Sequence, residues 1–118
     1  MHLPSWGDDV LSWGSNGEIY RFKAGSTVGE KLAGGPSDSV IIGLLHLPSW
    51  GDDVLSWGSN GEIYRFKAGS TVGEKLVGPS DYVDDLLHLP SWGDDVLSLG
   101  RNSEIYRFKA GSTVGEKL

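Results

Sequence analysis

The sequence predicts an all-β fold built from β-propeller blades of four antiparallel strands, three to the chain, with a three-fold β-trefoil as the alternative. Three observations predict it. Residues 2–32 recur unchanged at 46–76 and return at 88–118 with three substitutions, Leu99 for tryptophan, Arg101 for serine and Ser103 for glycine. The copies start at residues 2, 46 and 88, and spacings of 44 and 42 residues belong to stacked or radially arranged supersecondary units. Each copy also alternates short β-branched and aromatic runs with turn residues, and 18 glycines in 118 residues mark a loop-rich globular chain.

The second copy serves to justify the elements in order. Asp53-Val54-Leu55-Ser56-Trp57 has the composition of a strand. Ser59-Asn60-Gly61 follows as a turn, because Asn-Gly tolerates the positive φ of a tight hairpin. Glu62-Ile63-Tyr64-Arg65-Phe66-Lys67 is the next strand, and its period of two puts Tyr64 and Phe66 on one face and Ile63, Arg65 and Lys67 on the other. Ala68-Gly69-Ser70 turns the chain into a short polar outer strand over residues 71–76. In the third copy Leu86-Leu87-His88-Leu89 reads as the inner strand, ended by Pro90, which has no N–H for a ladder. Ahead of it, Ser80-Asp81 offers a cap for a short helix over residues 82–87. The counterpart Ser39-Val40-Ile41-Ile42-Gly43 is β-branched, so the extended reading is preferred.

Residues 1–118 have the size of one domain, with repeat units 2–32, 46–76 and 88–118 and linkers 33–45 and 77–87. One unit is far too short to bury a core, so the units must pack on each other or on units of another molecule. A net charge of −6, with ten Lys and Arg scattered along the chain, opposes a phosphate-binding surface and nucleic acid as partner. The longest apolar run, residues 40–45, is interrupted by Gly43 and too short for a membrane span, and no secretory leader is visible after Met1. Zero cysteines exclude disulfides and thiolate metal sites and leave the compartment open. Solvent-type residues recur as faithfully as apolar ones: Lys23, Ser26, Thr27 and Glu30 return as Lys67, Ser70, Thr71 and Glu74. Such identity points to recent duplication or, the preferred reading, to an engineered or laboratory-evolved array.

Pro48-Ser49-Trp50, Val54-Leu55-Ser56, Ser59-Asn60-Gly61-Glu62-Ile63-Tyr64-Arg65 and Gly69-Ser70 with Lys75-Leu76 resemble the WD40-like repeat of TolB-type β-propellers. The third copy comes closer still, with Arg101-Asn102-Ser103-Glu104-Ile105-Tyr106. The turn Gly51-Asp52-Asp53 is shorter than that family's Ser-Pro-Asp-Gly, and the linkers have no clear counterpart there. The resemblance implies three blades running from inner to outer strand. Known propellers close with about four to eight blades, so three leave the ring open. The expected partner is a second copy, giving a homodimeric six-bladed ring.

Candidate ligand-binding residues are Trp6, Trp50 and Trp92 with Tyr20, Tyr64 and Tyr106, one of each per unit. Exposed aromatics in this pattern would stack on sugars as a multivalent lectin with a glycan partner. Buried, the tryptophans would fill the gaps between units, which is the preferred reading. Trp13 and Trp57 become Leu99 in the third copy, as suits a core position. His2, His46 and His88 are weak metal candidates, and no metal or cofactor is expected. Asp8-Asp9, Asp52-Asp53 and Asp94-Asp95 lack calcium-loop spacing and read as turn residues. Glu18/Arg21 and Glu30/Lys31 read as surface charge pairs. Ser12 has no nucleophile elbow around it, and three equal copies make three equal environments, so catalysis is not expected. The function expected is a non-enzymatic, self-assembling repeat scaffold, with the lectin as the alternative.

Overall fold

In a computed structural model that describes residues 1–14, 18–32, 41–79 and 82–118, each repeat unit folds into its own four-stranded antiparallel sheet. The first contains β1 (His2–Leu3), β2 (Asp9–Trp13), β3 (Ile19–Phe22) and β4 (Glu30–Lys31). The second contains β5 (Ile41–Leu47), β6 (Asp53–Gly58), β7 (Ile63–Phe66) and β8 (Glu74–Lys75). The third contains β9 (Val83–Leu89), β10 (Asp95–Gly100), β11 (Ile105–Phe108) and β12 (Glu116–Lys117). Within every sheet the strands lie in chain order, each joined to the next by a short connection. This is the makeup of propeller blades, and the all-β expectation holds.

The trefoil alternative does not. A trefoil pairs strands of different units in a common barrel, whereas here the strand ladders of the described residues stay inside their units, and the pairing between units is the isolated parallel bridge of Val77 with Val114. The helix alternative over residues 82–87 also fails, since Val83–Leu89 is a strand hydrogen-bonded along β10; its proposed cap, Ser80-Asp81, lies outside the described residues. The linkers are in part strand, because residues 41–45 and 83–87 extend the inner strands to seven residues. The outer strand is shorter than the predicted 71–76, with only Glu74–Lys75 in the ladder.

The turn after the inner strand has a backbone cause. Pro48–Trp50 makes one 3-10 turn, with proline at its start where a missing N–H does no harm. Gly51 and Asp52 then adopt φ of 68° and 65°, two left-handed residues in succession, and the same pair recurs in the other units. The β6–β7 turn departs from the tight hairpin expected. Gly61 carries the positive φ, 84°, while Asn60 accepts the Glu62 N–H at 3.1 Å through its side chain. The corresponding turn of the first unit, 15–17, lies outside the described residues.

The sheets stack face on face. The forward face of the first unit (Leu3, Trp6, Leu11, Ile19, Leu32) packs on the rear face of the second (Ile41, Val54, Phe66). The forward face of the second (Leu47, Trp50, Leu55, Trp57, Ile63, Leu76) packs on the rear face of the third (Val83, Leu86, Val96, Phe108). Strand alternation explains the division: Tyr64 and Phe66 go to one joint and Ile63 to the other, as the period of two requires. The result is a flat body of 43 × 31 × 17 Å. Among the described residues no helix is long and apolar enough to cross a membrane.

Candidate functional site

The chemistry of this chain gathers at the joints between units. The second aspartate of each pair is buried and bound to an arginine twelve residues on: Arg21 Nε donates to Asp9 Oδ2 at 2.7 Å, Arg65 to Asp53 at 2.6 Å and Arg107 to Asp95 at 2.7 Å. The other carboxylate oxygen accepts the N–H of Ala24, Ala68 or Ala110, at 3.3, 3.2 and 3.1 Å. Each guanidinium also sits over the indole of its own unit, 5.9 Å from Trp6, 5.9 Å from Trp50 and 5.6 Å from Trp92. The surface pairing read for Glu18/Arg21 is therefore corrected. Arg21 belongs to Asp9, and Glu18 pairs with Lys31 at 3.1 Å.

From this held position the side chains reach into the next unit. Trp6 Nε1 donates to the Asp52 carbonyl and Trp50 Nε1 to the Asp94 carbonyl, both at 2.7 Å. Arg21 Nη1 donates to the Gly69 carbonyl at 2.7 Å and Arg65 Nη1 to the Gly111 carbonyl at 2.8 Å. Ser5 Oγ lies 3.2 Å from His46 Nε2, and Ser49 Oγ 3.2 Å from His88 Nε2. Two joints thus share one set of apolar and polar contacts.

The aspartates that begin the pairs serve as turn residues, as expected, and Asp52 and Asp94 also as carbonyl acceptors. Their carboxylates face the histidines, with Nε2–Oδ1 distances of 3.2 Å (His2–Asp8), 3.3 Å (His46–Asp52) and 3.1 Å (His88–Asp94). Serine, histidine and aspartate therefore meet at each joint, but serine and aspartate share one ring nitrogen. A proton relay needs them on opposite nitrogens, so this arrangement cannot activate the serine. No group of three His, Cys, Asp or Glu among the described residues is placed to hold a metal ion.

Of the aromatic candidates, Trp6 and Trp50 are buried in joints and present no face for a sugar, while Trp92 is exposed. Tyr20, Tyr64 and Tyr106 are half-buried, Tyr64 and Tyr106 packing against the two cores. Burial holds the Tyr64 hydroxyl above its ordinary pKa of 10.0, with Glu62 adding to the shift and Lys75 opposing it.

The two ends of the stack expose what the joints bury. Trp92 is 47% exposed where Trp6 and Trp50 are 5% and 4%, and Leu118 is 62% exposed where Leu32 and Leu76 are 5% and 2%. At the opposite end Val10 is 40% exposed, while Val54 and Val96 are 0%. The forward face of the third unit and the rear face of the first thus expose residues whose counterparts are buried at the two internal joints.

Comparison of the chain with protein-family models and with curated proteins returns no match.

Proposed function

We propose that this chain is a non-enzymatic, self-assembling scaffold of propeller blades whose ring is completed by a second copy, six blades in all. The observation that carries this reading is the pair of open end faces, each a copy of a face buried elsewhere in the same chain. Burying apolar surface yields about 25 cal/mol per Å², so faces of this kind favour association. The polar groups match as well. In a head-to-tail contact Trp92 Nε1 would meet the Asp8 carbonyl of a second copy, Arg107 Nη1 its Gly25 carbonyl and Ser91 its His2. Such a contact is heterologous, and two copies related by a two-fold axis close it. The likeness of the repeats to TolB-type blades supports a ring over an open stack.

The decisive experiment is solution mass by light scattering. Twice the 12.7 kDa chain mass, held on dilution, is the expected result; a single-chain mass would count against the ring. Among the tryptophans, Trp92 is the one left to support the lectin reading. A glycan array and tryptophan fluorescence on adding sugars are expected to stay silent, and a response lost in Trp92→Ala would revive it.

A further inference from the structure

We propose that Asn60 is a site of spontaneous covalent modification, deamidated through attack by the Gly61 nitrogen while the protein stays folded. The β6–β7 turn brings together what that chemistry needs. Asn60 is exposed, and a glycine follows it, leaving no side chain to hinder a nitrogen nucleophile. Gly61 adopts φ of 84°, a conformation that a side chain would strain. Two copies carry Asn-Gly at this place, Asn16-Gly17 and Asn60-Gly61, and the third carries Asn102-Ser103. With residues 15–17 outside the described residues, the second unit supplies the geometry.

The electrophile is held and polarised. Asn60 Oδ1 accepts the Glu62 N–H at 3.1 Å, and Asn60 Nδ2 donates to Glu62 Oε1 at 2.8 Å. A donor on one side and a carboxylate on the other fix which amide atom faces which. The N–H thus sits on the oxygen that gathers negative charge when Cγ is attacked, as an oxyanion-hole donor does. Glu62 is steadied in turn by Lys75, whose Nζ lies 3.3 Å from Oε2. The nucleophile is held by the turn itself. Gly61 is buried, and its N–H donates to the Gly58 carbonyl at 3.2 Å. Freeing it takes a local opening of this turn, which costs far less than unfolding the sheet.

The Gly61 nitrogen bonds to Asn60 Cγ as its proton passes to solvent. The Cγ–Nδ2 bond breaks, and that nitrogen gains a proton from solvent and leaves as ammonia. The cyclic imide left behind takes up one water at either of its carbonyls. Opening at one carbonyl gives aspartate at position 60. Opening at the other gives isoaspartate, which routes the main chain through Cβ and Cγ and lengthens it by one carbon. Neither product needs an oxidant or a reductant. In both, a carboxylate replaces the amide that donated to Glu62, so like charges meet and the turn loosens.

The test incubates the intact protein at mildly alkaline pH and follows its tryptic peptides by mass spectrometry. Cleavage after arginine and lysine separates the copies, placing Asn60 in peptide 32–65, Asn16 in 1–21 and Asn102 in 102–107. Asn60 should convert to aspartate and isoaspartate at least about ten-fold faster than Asn102. Gly61→Ser, which copies the residue with which the third unit folds, should slow Asn60 to the Asn102 rate. Ser103→Gly should quicken Asn102. A parallel incubation in denaturant separates reaction in the folded turn from reaction in rare unfolded chains. Unfolded chains alone would make the native rate slower by the folding constant, about 10³ or more, whereas local opening keeps it within about 100-fold of the denatured rate. Equal rates at Asn60 and Asn102, an unchanged rate in Gly61→Ser, or a native rate slower than that bound would each overturn the proposal. Solution mass is read separately, so a single-chain mass would remove the ring without touching this site.

Discussion

Asp53 shows how much one side chain can hold. Its carboxylate is buried, bound to Arg65 on one oxygen and to the Ala68 N–H on the other. Removing one partner of such a pair leaves the other charge buried and uncompensated, at about 3–5 kcal/mol. Asp53→Ala is accordingly expected to lower unfolding stability by about 3 kcal/mol in chemical denaturation, far more than Glu62→Ala, whose pair with Lys75 is surface-exposed. Tyr64 gives a pH prediction. Its folded pKa is raised, so its contribution is complete below about pH 10 and is lost as pH climbs through the raised value. Unfolding midpoints should fall over that range, less steeply in Tyr64→Phe. The aspartate–arginine pair was hidden in the sequence because its spacing of twelve acquires meaning only from the hairpin register. Val10 stands opposite Phe22 and Leu11 opposite Arg21, which makes Asp9 and Arg21 diagonal neighbours on the forward face. A count outward from the turn would have found them. Trp57 adds a second lesson. Its buried indole N–H has no partner, which explains why leucine serves at position 99.

At the scale of elements, the connections between the second and third strands of the second and third units carry the clearest difference. Gly61 adopts φ of 84°, and Ser103, at the same place in the third unit, adopts 62°. A side chain in that region costs on the order of 1 kcal/mol. Ser103→Gly is expected to raise stability by about that amount, and hydrogen exchange should show the least protection in the third unit; equal protection in all three would contradict it. Strand identity, order and facing were legible because alternation of Ile63, Tyr64, Arg65 and Phe66 forces one set to each side. The inner strands were legible only in part. Val83-Asp84-Asp85 carries two acids on an exposed stretch, and nothing in its local pattern distinguishes a strand from a helix start; pairing with β10 decides it.

Across the whole molecule, the two internal joints predict how one substitution behaves in different places. Trp6→Phe removes a hydrogen bond inside the chain, and Trp92→Phe removes the N–H that the proposed ring would use for its counterpart. The first should lower unfolding stability by about 1 kcal/mol and leave self-association unchanged. The second should weaken self-association on the order of ten-fold, read by sedimentation over a dilution series. Equal behaviour of the two would argue that the end faces do not meet. The three-part architecture was plain from the repeat spacing, but the joint's polar set was not, since the acceptors are main-chain carbonyls that no residue type announces. Those carbonyls belong to the same 31-residue unit that carries the donors. Each module is therefore both plug and socket. A gene that duplicates it gains a compatible neighbour at once, and the array can lengthen without any new interface having to evolve.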